Sequence, residues 1–106
     1  MANNTDRERV EEIAKIYTSI VKSEINIVAA YLYGSYAKGN YTDDSDIDIA
    51  IVGDGFTGDN IDDTMKLMRL RRKVDNRIEP HPFKSDEFDI SNPFVKEIIT
   101  TGIRII

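Results

Sequence analysis

Residues 46–52 alternate: Asp46 and Asp48 hold one parity, and Ile47, Ile49 and Ile51 hold the other. A period of two belongs to a β-strand. On a helix, side chains two apart point to nearly opposite sides, so the acids would be separated. On a strand both carboxylates leave one face, with Cα atoms about 6.5 to 7 Å apart, and the isoleucines leave the other. The chain must therefore build a sheet that is apolar on one side of this strand and acidic on the other.

The flanking sequence supplies what such a sheet needs. Thr5 with Glu8 forms a capping-box pattern, and Val10, Ile13, Ala14, Tyr17, Ile20 and Val21 then recur at helical spacing, predicting a helix over residues 6–22. Residues 25–33 are rich in β-branched and aromatic side chains and stop at Gly34, which reads as a buried strand. Residues 34–39 predict a tight turn and a short helix, and 40–45 a polar loop. Gly53, Gly55 and Gly58 break the alternating strand, and Asp59 or Asn60 can cap a second long helix with Ile61, Met65, Met68 and Leu70, ending near Val74. Residues 77–81 read as a third strand, which Pro80 and Pro82 restrict to a sheet edge or a strand terminus. Asn92 or Ser91, with Pro93 in the first turn, starts a last helix through Ile99, and Gly102 stops it before an apolar tail, residues 103–106. This order implies an α/β (α+β) fold, a small mixed β-sheet flanked by helices, as one domain over residues 1–106 with no repeat or linker.

The acidic face is suited to metal. Asp43, Asp44 and Ser45 precede the pair and concentrate negative potential that cations relieve. Carboxylates at strand spacing can converge on two divalent ions about 3.5 to 4 Å apart, which clamp the attacking and leaving oxygens of a phosphoryl displacement. With no cysteine in the chain, disulfides, thiolate zinc sites and cysteine nucleophiles are excluded, and oxygen donors favour a hard cation such as magnesium. Ser35 follows Gly34 at a strand-to-helix turn. A glycine there lets a phosphate approach the backbone, and helix-start N–H groups with a serine hydroxyl form an anion cradle. Lys38 adds positive charge.

The chain has 106 residues, 41% apolar and 31% charged, the profile of a globular protein with one modest core. Its net charge of −5 argues against a general nucleic-acid binder, while a small phosphate-bearing substrate stays open because metal ions can supply positive charge. No segment approaches the ~20 apolar residues of a membrane span, and residues 1–4 lack the regions of a signal peptide, so the expected location is the cytoplasm.

Together, Gly34-Ser35-x-Ala37-x-Gly39 followed by Ser45-Asp46-x-Asp48 closely resembles the signature of the DNA polymerase β-like nucleotidyltransferase superfamily. That resemblance implies the polymerase β-like nucleotidyltransferase fold, a triphosphate held around Gly34, Ser35, Lys38, Gly39 and Ser45, and two magnesium ions bound by Asp46, Asp48 and a third carboxylate on a neighbouring strand. Glu79 matches the third position in distance and strand context, as ligand and as a candidate general base. The likeness spans nearly the whole chain, and the chain's shortness resembles the minimal nucleotidyltransferase (MntA-like antitoxin) group, encoded beside a helical HEPN partner. The implied reaction moves AMP from ATP to a hydroxyl, a tyrosine of a HEPN toxin being the model acceptor. Lys38 stands where many relatives have arginine, and the third acid is a glutamate; neither change removes a needed charge.

Simpler readings compete. The acidic run can be a solvated loop, although a calcium loop fails because Ile49 and Gly55 stand where its glycine and bidentate glutamate belong. Glu79 can be a surface residue paired with Arg77, and His81, on the same expected face, a structural imidazole. Lys66, Arg69, Arg71, Arg72 and Lys73 suit the exposed face and carboxyl end of their helix, with partner or RNA contact as the alternative. Tyr31, Tyr33 and Tyr36 can pack in the core or stack on a base. No histidine or lysine is spaced to activate Ser35 as a nucleophile. At the level of function, a non-catalytic nucleotide-binding or partner-binding antitoxin module and an RNA nucleotidyltransferase are the alternatives. The acceptor, the base preference and the oligomeric state, a homo-oligomer included, stay open.

Overall fold

The computed structural model describes residues 4–106, with side chains from Asp6 onward. Helix α1 (Asn4–Glu24) leads into β1 (Ala29–Tyr33), the one-turn α2 (Ser35–Lys38), β2 (Ile47–Val52), α3 (Asn60–Arg71), β3 (Ile78–Phe83), a 3-10 turn (Ser85–Glu87), α4 (Pro93–Thr101) and β4 (Ile103–Arg104). The strands form one mixed sheet in the order β3-β2-β1-β4. β1 runs antiparallel to β2 and β4, and β3 parallel to β2. The expected α/β architecture with a small mixed sheet is what the chain adopts. The expected cap at Thr5 lies outside the described side chains, and no helix among the described residues is long and apolar enough to cross a membrane.

The alternation of β2 splits the protein into two faces. Ile47, Ile49 and Ile51 are fully buried and join Ala30, Leu32 and Ile78 of the neighbouring strands in the core. α1 covers them with Val10, Ala14, Tyr17 and Val21, spaced four, three and four apart along one stripe, and α3 adds Leu67 and Leu70. Tyr17 ties the two helices together, its buried hydroxyl donating to the Leu67 carbonyl at 2.7 Å. α3 starts as expected: the Asp59 carboxylate accepts from Ile61 and Asp62 N–H. Buried Asp63 accepts from the Thr57 and Gly58 N–H groups and fixes the loop ahead of the helix.

Several boundaries differ from expectation: α1 is longer at both ends, α3 stops at Arg71 rather than near Val74, and α4 runs on to Thr101. β1 begins at Ala29 rather than at residue 25, because its partner β2 ends at Val52, opposite Ala29. Beyond that point Gly53 N–H bonds instead to Phe83 O, and a side chain on Gly53 would put its Cβ 2.5 Å from Ile27 Cα. Residues 25–28 cross this close approach without regular strand pairing, held by Val28 N–H on Val52 O at 2.7 Å and by Gly55 N–H on Asn26 O at 2.9 Å. β3 runs through both prolines to Phe83, on the sheet edge. Ile47 and Gly53 N–H donate to Arg77 and Phe83 O, so the odd residues bond to β2 while the even ones, Pro80 and Pro82 among them, turn their nitrogens outward. The apolar tail is the fourth strand: Arg104 pairs with Tyr31 and Ile103 with Leu32, and Ile105 N–H donates to Ala30 O at 2.8 Å.

Replacing Ile49 by Ala should lower the unfolding free energy by roughly 2 to 5 kcal/mol. Tyr17→Phe, which removes only the hydrogen bond, should cost about 1 kcal/mol. Urea unfolding followed by circular dichroism measures both.

Candidate active site

β1 ends at Tyr33, and the chain turns at Gly34 with φ 76° and ψ −150°, a conformation that residues with a Cβ avoid. Lys38 N–H donates to Gly34 O at 3.0 Å and Gly39 N–H to Ser35 O at 2.9 Å, closing α2 into one turn, with Gly39 left-handed at its end. Arg7 of α1 clamps this turn from below by donating to Ala37 O. A Cβ built on Gly34 would collide with Asp48 Oδ2 and lie 3.3 Å from Asp48 Cγ. Gly34 thus brings bare backbone against a carboxylate of β2, and Ser35 follows at once, half-buried.

The acidic face assembles from three strands. Tyr33, Asp48 and Glu79 stand directly across from one another on β1, β2 and β3, so their side chains share a face. Asp46, of the same parity, precedes β2 and is exposed. Burial pushes the Asp48 carboxyl above its ordinary value; His81 pulls it back down, and Asp46 and Glu79 raise it again. The Tyr33 phenol is raised by its burial and then by Asp48 and Glu79. Among the described residues no three acidic or histidine side chains close into a formed ligand cluster. What the sheet provides is acidic oxygens gathered on one face, with a repulsion that a cation would relieve.

The remaining expected residues sit around this centre in different ways. Lys38 lies at the rim, its ammonium held by Glu97 of α4 at 2.7 Å, both side chains largely exposed. The Ser45 hydroxyl accepts from Thr42 N–H at 2.8 Å, and Ser45 N–H donates to Thr42 O, which folds the loop ahead of Asp46. Arg77 does not pair with Glu79 as the simpler reading had it; it forks onto Asp75 and leaves Glu79 to the acidic face. His81 pairs with Ala50 on the same face, and its ring packs edge-on against Tyr33 at 5.7 Å and Phe94 at 6.5 Å. Tyr36 is buried and stacks on Tyr41 at 4.5 Å, a packing role, whereas Tyr31 stacks on Phe88 at 5.4 Å.

α4 is the element that sequence reading left out of the site. Its cap is Asn92, which accepts from Phe94 N–H, and it buries Val95 and Ile98 while laying Phe94 against Tyr33 and Phe83. Between α4 and the Gly34 turn runs a groove of about 160 Å³ whose lining includes Tyr33, Gly34, Lys38, Phe94 and Glu97. The signal for this was present in the helical spacing of Phe94, Glu97 and Ile98, but nothing in it said which face of the sheet the helix would cover.

Residues 11–106 match the family described as Polymerase beta, Nucleotidyltransferase. A provisionally named protein adenylyltransferase of Methanocaldococcus jannaschii is 30% identical over 91 residues, 85% of this chain and 87% of its own. A provisionally named nucleotidyltransferase from Sulfolobus solfataricus superposes with a TM-score of 0.67 at 27% identity, covering 92% of this chain and 80% of that one. The fold is also that of a chain in a toxin–antitoxin crystal structure with AMP-PNP, with a TM-score of 0.63 at 24% identity over 89% of this chain and 72% of that one.

Two outcomes follow from the geometry. Gly34→Ala drives a methyl into the Asp48 carboxylate at positive φ and should destabilise the fold by roughly 1 to 3 kcal/mol, read by urea unfolding. Because the folded state raises the Asp48 carboxyl above its unfolded value, the stability this group contributes is full below the unfolded value and is lost as pH rises through the folded one. Asp48→Asn should therefore melt higher than the parent at neutral pH, with the gap closing as the buffer is acidified through the carboxylate range; a constant gap would contradict the assignment.

Proposed function

Because the chain belongs to the polymerase beta nucleotidyltransferase family, we propose that it transfers AMP from ATP to a hydroxyl of a partner protein, releasing pyrophosphate. The observation that carries this reading is the bare turn at Gly34 lying against Asp48, which in turn faces Glu79 across the parallel strands. A phosphate can rest on the turn only if no side chain intervenes, and the carboxylates lie within one strand spacing of that turn. The 30% identical relative named as a protein adenylyltransferase supports AMP as the transferred group and a protein as the acceptor. A tyrosine of a HEPN-type toxin is the acceptor that the sequence resemblance implies, which makes the chain an antitoxin acting in the cytoplasm.

In this reading the Gly34 and Ser35 backbone N–H groups and the Ser35 hydroxyl hold the terminal phosphates, and Lys38 adds charge beside them once released from Glu97. Asp46, Asp48 and Glu79 would hold magnesium, which supplies neutralising charge to the phosphate oxygens. Tyr33 and His81 pack beside the carboxylates and limit the water that reaches Asp48. Glu79 accepts the proton of the acceptor hydroxyl as that oxygen bonds to the α-phosphorus and the bond to the bridging oxygen of pyrophosphate breaks. Each carboxylate thus acts on charge that develops during the transfer.

Incubation with α-labelled ATP, magnesium and the protein of the neighbouring gene should label that protein, and Asp46→Ala or Asp48→Ala should reduce labelling at least about a hundredfold. Transfer that survives either change would overturn the assignment. Independently of turnover, magnesium should raise the melting temperature of the parent and leave that of Asp48→Asn unchanged.

A further inference from the structure

We propose that the exposed face of α3 is a two-fold, antiparallel contact with a second copy of this chain. α3 buries Asp63, Leu67 and Leu70 and turns the opposite stripe outward. On that stripe Ile61 is 70% and Met65 59% exposed, two of the most exposed large apolar side chains among the described residues. At about 100° per residue, Met68 and Arg72 continue the same line. Charge along the helix is polarised. Asp59 and Asp62 stand exposed at the amino end, and Arg69, Arg72 and Lys73 stand exposed at the carboxyl end, where no ion pair engages them among the described residues. Arg71 does not belong to this set, since it turns inward and donates to Ile78 O at 2.8 Å.

Such a pattern is its own complement. A two-fold axis across the middle of α3 sets Met65 of one copy on Met68 of the other, and Ile61 on the aliphatic stem of Arg72. The same operation brings the acidic amino end of each helix against the basic carboxyl end of its mate, and it opposes the two helix dipoles. A nucleic acid would use the cations and leave Ile61 and Met65 in water. A second copy covers both. The stripe lies on the far side of the sheet from the acidic face, so the contact leaves the Gly34 turn open and is independent of the reaction proposed above. One twelve-residue helix from each copy makes a contact near or below the low end of stable interfaces, about 1,200 Å², so dissociation is expected on the order of 10 to 100 μM.

Sedimentation velocity across that concentration range should show monomer converting to dimer. Asp62→Arg leaves a helix that is positive at its carboxyl end and no longer acidic at residue 62, while Arg69→Asp with Arg72→Asp leaves one that is mostly acidic. Each variant alone should associate at least about tenfold more weakly, and their equimolar mixture should recover the dimer, because the two altered helices complement one another. Urea unfolding checks that both variants fold like the parent. A parent that stays monomeric to millimolar concentration would overturn the proposal. So would a dimer that neither variant weakens, a mixture that fails to recover, or capture of α3 by an acidic protein while the chain stays monomeric.

Discussion

Burial of three isoleucines on one side of β2 is the constraint on which the rest of the protein depends. With Ile47, Ile49 and Ile51 locked beneath α1 and α3, the pleat leaves Asp46 and Asp48 only the opposite side. A slip of one residue would drive the two carboxylates into the core and turn the isoleucines out of it, at a cost far above the stability of a small domain. The hydrophobic core therefore sets the direction in which the acids point, and the site inherits its rigidity from packing on the far face of the sheet.

Electrostatic and backbone tension meet on the acidic face. Asp48 is partly desolvated and faces Glu79 and Asp46, which destabilises its ionised form, and the Gly34 turn adds a backbone conformation that only glycine adopts without strain. The tension is confined to a few atoms at the junction of three strands. Around it the protein is well satisfied: Asp63 is sealed by loop N–H groups, Asp59 and Asn92 cap their helices, and Arg77 is matched by Asp75. The acids gathered beside the Gly34 turn face one another, and a cation would relieve their repulsion.

α4 gives the site a second wall. It crosses the acidic face rather than the core face, lays Phe94 against Tyr33, and sends Glu97 to Lys38. Lys38 thus stands at the rim between a carboxylate of α4 and the Gly34 turn. The exposed pair is individually weak, so Lys38 can leave Glu97 at little cost. Tyr33, Phe94 and Ile98 give the groove between α4 and the turn an apolar lining.

The sequence by itself determined the local elements and which residues carry the acidic face and the bare turn. Alternation at residues 46–52 required a strand with acids on one face, the helical stripe from Val10 to Val21 required an amphipathic helix, and Gly34-Ser35 required a turn without a side chain at its start. Each of these depends on residues near one another in the chain, where periodicity and steric limits act without help from the rest of the fold. Only the tertiary structure decided which strands became neighbours, and so that Glu79 faces Asp48 while Arg77 turns to Asp75. It also decided that β1 stops pairing where β2 ends, that β3 continues through Pro80 and Pro82 because their nitrogens face the open edge, that the tail closes the other edge, and that α4 brings Glu97 to Lys38. Those outcomes depend on hydrogen-bond partners and packing surfaces brought together from distant parts of the chain, and a local pattern carries no record of its eventual neighbour.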